Sequence, residues 1–263
     1  MGKVTHLLFD CDNTLVLSEA IAFEACAEFA NEILVEKKAD YDELYTAKTL
    51  LDNFVGQNFR GMLIGLMKKH RFDVEEEELK FYVKEEENRV IANIKQRGKP
   101  CVGVNEELEK LYESGKYGMA IVSSSAFRRV KASIEKVGQD KYFPGDPIFS
   151  AATSLPVPTS KPDPAIYLHA LEVLGKEASE CIAIEDSRSG AKSAVDAGIH
   201  LIGYVGSYDT EKEQEDKREM LKELGARAVM THWHEFPDCL AMIEELVAAS
   251  NSRENGSATG KLC

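Results

Sequence analysis

The sequence predicts a doubly wound parallel α/β sheet with a helical domain inserted after its first strand. Three observations carry that expectation. Short apolar runs rich in Ile, Val and Leu alternate with helical patterns along most of the chain, as they do where parallel strands are covered on both faces. Several of these runs end in a polar residue: Asp10, Ser123, and Glu185 followed by Asp186. The interval 17–97 breaks the alternation and carries helical periodicity alone.

The elements follow in chain order. "HLLFD" (6–10) reads as the first strand. Helical patterns occupy 19–37, 40–53, 58–70 and 76–96, and "GKPCVGV" (98–104) reads as the linker back to the sheet. "YGMAIVS" (117–123), "PIFSA" (147–151), "CIAIED" (181–186), "LIGYVG" (201–206) and "AVMT" (228–231) supply the remaining strands. Helices are expected at 126–138, 164–175, 188–197, 212–224 and 234–248. The expected organisation is a core domain of residues 1–16 and 98–248, a helical domain of 17–97, and a tail of 249–263. The polar, Gly/Ser-rich end, "NSRENGSATGKLC", reads as disordered.

Composition narrows the function classes. The 263 residues are 44% hydrophobic and 29% charged, as in an ordinary globular protein, with a net charge of −13. That charge argues against a nucleic-acid surface, which needs clustered Lys and Arg. An anionic ligand would need positive charge concentrated in one site against the global field. No apolar run approaches the roughly 20 residues of a membrane span, and the N-terminus lacks a secretory leader pattern. Cysteines at 11, 26, 101, 181, 239 and 263 form no CxxC pair, and most lie in apolar runs. The expectation is a soluble cytoplasmic protein, a monomer or weak homodimer, with no nucleic-acid or membrane partner.

The strand ends carry the chemistry. Asp10 and Asp12 sit one residue apart with Thr14 behind them. Carboxylates are rarely buried unless paired or bound to metal. A parallel sheet gathers its carboxyl ends at one edge, where ligands bind. That edge would hold Asp10, Asp12, Thr14, Ser123, Lys161, Glu185 and Asp186. Mg2+ is held by a few carboxylate oxygens, waters and substrate phosphate, while a hydroxyl and a lysine suit phosphate oxygens. The cluster describes a Mg2+-dependent phosphoryl-transfer site for a small phosphate ester. Other features read as bland. Cys11 alternates away from its neighbours into the core, the acidic runs at 75–78 and 85–87 are solvated helix faces, and "THWHE" (231–235) is surface.

Taken in order, "DCDNT", "VSSS", "SKPDP" and "IEDSRSG" resemble the motifs of the haloacid dehalogenase-like superfamily. The branch resembled is the β-phosphoglucomutase-like, CbbY-type one. The resemblance covers the chain to about residue 248 and implies a Rossmann-like core with an α-helical cap. It implies that Asp10 is a nucleophile forming an aspartyl-phosphate, and that Asp12 is the general acid and then the base. Ser123, with Ser124 beside it, and Lys161 would bind the phosphoryl oxygens, Lys161 also restraining Asp10. Asp10, Asp186 and the Asp12 main-chain carbonyl would ligate Mg2+, with Glu185 acting directly or through a bound water. Dehalogenases proper lack the second aspartate, so Asp12 favours phosphate over halide. The family's phosphoglucomutases carry a His twelve residues after the nucleophile, where this chain has Ala22. That favours release of phosphate to water. Phosphonoacetaldehyde hydrolases use a cap lysine, a possibility Lys48 leaves open. The cap would close over the sheet edge and choose the substrate through Gln57, Asn58 and Arg60, which follow Gly56, with Glu19 and Arg128 as further candidates. The resulting expectation is a Mg2+-dependent phosphatase of a sugar or polyol phosphate. A phosphosugar mutase, a phosphoglycolate-like acid phosphatase and a non-enzymatic binding protein on the same scaffold are the alternatives.

Overall fold

The computed structural model describes residues 3–54 and 57–258, with the backbone alone at 51 and 250–258. Its strands are β1 (His6–Phe9), β2 (Val16–Leu17), β3 (Lys99–Pro100), β4 (Gly118–Ser123), β5 (Ile148–Ser150), β6 (Cys181–Glu185), β7 (His200–Tyr204) and β8 (Ala228–Met230). Its helices are α1 (Glu19–Glu36), α2 (Ala47–Asn53), α3 (Phe59–His70), α4 (Glu76–Arg97), α5 (Val104–Ser114), α6 (Phe127–Lys136), α7 (Ala165–Leu174), α8 (Arg188–Asp196), α9 (Glu211–Glu223) and α10 (Phe236–Ala258).

Six strands pair in the order β5-β4-β1-β6-β7-β8, every pair parallel. Phe9 stands level with Ile121 on one side and Ile184 on the other, so the strands finish together along one edge. The chain winds outward from β1 to β4 and β5, then resumes beside β1 with β6 and winds the opposite way to β7 and β8. Such a reversal opens a crevice at the carboxyl ends of the strands.

Successive side chains alternate between two apolar layers. Leu7, Phe9, Ile121, Ile182, Ile184 and Ile202 face one layer, with Val104 and Leu108 of α5, Val130 and Ile134 of α6, and Leu240 and Ile243 of α10. Leu8, Ala120, Val122, Ala183 and Leu201 face the other, with Ile166 and Tyr167 of α7, Ala191 and Ala194 of α8, and Leu221 of α9. Burial on both faces is why the strands read as unbroken apolar runs.

The chain divides into two compact units, one of Ser18–Lys99 and one of Met1–Leu17 with Pro100–Cys263. It passes between them through β2 and β3, which pair as a two-stranded ribbon. The helical unit has its own core, in which Ala22, Phe29, Ile33, Leu34, Phe59, Leu63 and Val90 are buried. The rings of Phe29 and Phe59 stack there with centroids 5.8 Å apart. Among the described residues no helix is long and apolar enough to cross a membrane.

Three elements differ from expectation for local reasons. The helix expected over 40–53 forms only as α2. The Asn31 amide donates to the Tyr45 carbonyl and accepts from the Tyr45 amide, fixing that residue outside a helix. Thr46 then exchanges side-chain-to-backbone bonds with Thr49 and starts α2. Helix α5 occupies a stretch to which no element was assigned, although Val104, Leu108 and Leu111 recur at helical spacing. Helix α10 continues to Ala258, into the segment read as a disordered tail. Extending an existing helix fixes one residue for each bond gained, so polar residues prolong a helix that is already anchored by packing. Residues 259–263, with Cys263, lie outside the described residues.

Phe9 holds the start of the site in place, its ring packed among Phe143, Trp233 and Phe236. We expect Phe9→Ala to lower unfolding stability in urea by about 3–5 kcal/mol. A loss below about 1 kcal/mol would contradict this account of the core.

Candidate active site

The ladder of β1 continues one residue past the strand, where the Asp10 amide donates to the Ile184 carbonyl at 3.0 Å. The chain then turns sharply. The amides of Leu15 and Val16 both donate to the Cys11 carbonyl at 3.0 Å. Asn13 takes a left-handed φ of 59°, a conformation asparagine tolerates better than most residues. The turn sends the Cys11 side chain into the core and leaves Asp10 and Asp12 at the sheet edge. Thr14 is buried, and its hydroxyl has no hydrogen-bond partner.

Lys161 lies at the centre of the cluster, its side chain 3% exposed. Its ammonium donates to Asp10 Oδ1 at 2.7 Å, to Glu185 Oε1 at 2.6 Å and to the Val122 carbonyl at 2.7 Å. An ammonium has three protons, and these three acceptors take all of them. The Tyr167 hydroxyl also donates to Glu185 Oε1, at 2.6 Å, and the Lys161 ammonium sits 5.3 Å from the Tyr167 ring centroid. The Tyr208 hydroxyl donates to Asp186 Oδ2 at 3.1 Å. Asp10, Glu185 and Asp186 are all buried, and each offers an oxygen within 4.8 Å of the others.

Burial dominates the electrostatics. It pushes the Asp10 carboxyl up, against the pull of the Lys161 charge, and the Asp12 charge adds to the push. Burial also raises Glu185, to about 7, despite Lys161 and the hydrogen bonds it accepts. For Lys161, burial alone would favour loss of the proton. Asp10 and Glu185 outweigh it and hold the ammonium above its ordinary value. Asp10 and Glu185 thus share one ammonium, two carboxylates to one positive charge, with the buried Asp186 beside them. Glu185 Oε2 is buried with no hydrogen-bond partner. An oxygen-only donor set with an unsatisfied carboxylate oxygen fits a hard divalent cation such as Mg2+.

Asp12 has a separate set of partners. The Ser125 hydroxyl donates to its Oδ2 at 2.6 Å, and Arg129 donates to its Oδ1 at 2.8 Å. Both groups follow β4. Ser123 Oγ accepts from the Ser125 amide at 3.0 Å, closing a turn, and Ser124 Oγ accepts from the Lys161 amide at 3.1 Å. The three serines therefore divide their work among the turn, the Lys161 loop and Asp12.

The structure brings together Asp10, Lys161 and Glu185 in one hydrogen-bonded group, with Asp186 beside them and Ser123 and Ser124 on the adjoining turn. Arg128, named as a substrate candidate, is exposed, and its neighbour Arg129, which sequence reasoning did not single out, makes an ion pair with Asp12. Ser125, Tyr167 and Tyr208 were also missed. Ser125 was visible as the third serine of "VSSS", whereas Tyr167 looks like any aromatic on the buried face of a helix. The residues assigned to substrate choice belong to the helical unit. Asn58 caps α3, its Oδ1 accepting from the Gly61 amide at 3.0 Å. Arg60 pairs with Glu76 at 2.8 Å, and Gln57 is exposed. Lys48 pairs with Asp52 on the surface, and Gly56 lies outside the described residues.

Comparison with known proteins agrees with this geometry. A family model described as haloacid dehalogenase-like hydrolase matches residues 7–204. A phosphorylated carbohydrates phosphatase of Thermotoga maritima is 31% identical over 211 residues, covering 78% of this chain and 88% of that protein. A 6-phosphogluconate phosphatase of Escherichia coli is 26% identical over 207 residues, covering 76% and 82%. A solved Thermotoga maritima chain, provisionally assigned as a β-phosphoglucomutase, superimposes with a TM-score of 0.61 at 28% identity, covering 95% of this chain and 99% of that one. The family match runs from β1 to β7 and takes in the helical insertion, and the chain belongs to the haloacid dehalogenase-like hydrolases, in the branch of the CbbY and β-phosphoglucomutase-like proteins.

Proposed function

We propose that the protein is a Mg2+-dependent phosphatase of small phosphomonoesters, phosphorylated carbohydrates first, working through a phospho-aspartate at Asp10. One observation carries this reading: Asp10, Glu185 and Asp186 are buried together, and Glu185 Oε2 has no partner while the protons of the Lys161 ammonium are all committed. The relatives that are phosphatases of 6-phosphogluconate and of phosphorylated carbohydrates support the choice of substrate class.

Asp10, Asp186 and Glu185 would hold the cation, with the Asp12 main-chain carbonyl as a further donor. When bound, Mg2+ supplies the positive charge that lets a phosphate dianion approach a carboxylate. Lys161 keeps Asp10 oriented and offsets part of its charge. The Ser123 and Ser124 hydroxyls are the donors assigned to the phosphoryl oxygens. In the first step an Asp10 oxygen attacks phosphorus and the P–O ester bond breaks. The departing oxygen takes the electron pair and the proton held by Asp12. In the second step a water oxygen attacks phosphorus and gives its proton to Asp12. The P–O bond to Asp10 then breaks, releasing inorganic phosphate and restoring the carboxylate. The Ser125 hydroxyl can donate to an ionised Asp12 or accept from a protonated one, so one clamp serves both steps.

Hydrolysis is favoured over transfer because Ala22, at the position where mutases carry a histidine, is a buried methyl group in the helical unit's core. Choice among carbohydrates is assigned to polar side chains of that unit, Gln57 first. The free thiols Cys11, Cys26, Cys101, Cys181 and Cys239 suit a reducing, cytoplasmic setting.

Phosphate release should be measured from sugar, polyol and short-acid phosphates, with Mg2+ and with EDTA. We expect Mg2+-dependent release from a few related carbohydrates and none in EDTA. Phosphate migrating within one hexose would favour the mutase, and release from phosphoglycolate alone would favour the acid phosphatase. Asp10→Asn should lower kcat by more than about 10⁴-fold with the fold intact; full turnover in that variant would end the nucleophile assignment. Arg129→Ala should lower kcat by about 10²-fold by loosening Asp12, and an unchanged kcat would remove Arg129 from the account.

A further inference from the structure

Glu185 is confined from three sides. Its Oε1 accepts from the Lys161 ammonium and from the Tyr167 hydroxyl, each at 2.6 Å. Its carboxyl group lies against the backbone of α8 at Gly190, where a Cβ would overlap both oxygens and the carbon between them. Residue 190 is a glycine not for its φ but for the space that this carboxylate takes. Glu185 and Tyr167 are fully buried, so no solvent competes for either. With Oε1 carrying two donors, Oε2 is the oxygen left without a partner.

We propose that Tyr167 is a positioning residue of the metal site. Its hydroxyl, working against the wall at Gly190, locks Glu185 in the orientation it takes beside Asp10 and Asp186, the one the cation would require. This rests on the reading of Asp10, Glu185 and Asp186 as a Mg2+ site. Lys161 gives Glu185 one of its three protons, and Tyr167 adds a second, independent donor. The lysine ammonium is a point charge on a flexible stem, shared with Asp10 and the Val122 carbonyl. The tyrosine hydroxyl is held by a rigid ring packed between α7 and the sheet, among Val122, Ile166, Ala170 and Ala183. It therefore gives Glu185 Oε1 a donor of fixed direction. Groups that orient metal-binding carboxylates in this way typically change metal affinity by about 10–100-fold when removed.

The test is calorimetric titration of Mg2+ into the full-length protein without substrate, for the parent, Tyr167→Phe and Asp186→Asn. The phenylalanine variant keeps the ring and deletes one oxygen. It should bind Mg2+ about 10-fold more weakly, with its thermal transition still cooperative. In turnover, its half-activating Mg2+ concentration should rise by a similar factor, while kcat at saturating Mg2+ falls far less. Loss of packing alone would not produce that split. Unaltered Mg2+ affinity in Tyr167→Phe, beside lost affinity in Asp186→Asn, would overturn the role of Tyr167 and leave the metal site standing. Equal affinity in all three would overturn the metal reading, and this proposal with it. Should the phenylalanine variant not fold, Gly190→Ala pushes on the same carboxylate from the other side and must weaken Mg2+ binding likewise; unchanged affinity there would overturn the proposal.

Discussion

The buried ammonium of Lys161 is the constraint around which the sheet edge is built. It bridges Asp10 after β1, the Val122 carbonyl within β4 and Glu185 at the end of β6, three neighbouring strands joined by one group. Burying these charges is unfavourable in itself, and burial pushes both carboxyls upward even with the lysine present. Mutual pairing offsets the loss of hydration, but Asp10 and Glu185 set two negative charges against the one on Lys161, a deficit of positive charge. The deficit is what makes the edge a site. A structure built for stability alone would fill this position with apolar groups of similar volume.

The surrounding fold supplies directions for the side chains. Register places the ends of β1, β4 and β6 level, so residues far apart in sequence meet within hydrogen-bond reach. Helices then add one fixed contact each: Arg129 of α6 reaches Asp12, Tyr167 of α7 reaches Glu185, and Gly190 of α8 leaves room for that carboxylate. Asp10 and Asp12 consequently stand in different surroundings although one residue separates them. Asp10 shares a lysine inside a buried cluster. Asp12, its side chain 22% exposed, is held by a hydroxyl and a guanidinium nearer to solvent. Two roles for two like carboxylates follow from such a difference in environment.

The sheet was legible because its strands are short apolar runs ending in charge, a pattern a doubly buried parallel strand cannot avoid. The meeting of Asp10, Glu185 and Asp186 was legible as well, since carboxylates gathered at strand ends need a cationic partner, and Lys161 in the loop after β5 was read as one such group. The contacts that orient them were less so. Whether Arg128 or Arg129 turns toward Asp12 depends on where α6 begins, and one residue of phase is about 100° of rotation. Tyr167 falls on the apolar stripe of α7, where composition alone reads it as core. Asn58 carried a signal of its own, an asparagine directly ahead of a helix, and in the structure it caps α3.

On the proposed mechanism Asp10 carries the phosphoryl group during turnover. The most direct measurement is to quench the enzyme in acid during turnover of a phosphorylated carbohydrate, reduce it with borohydride, and map the product by peptide mass spectrometry. An acyl phosphate reduces to homoserine, so the expected result is homoserine at position 10 when substrate and Mg2+ are both present. Phosphate release accompanied by unmodified Asp10, or by label at another residue, would contradict the account.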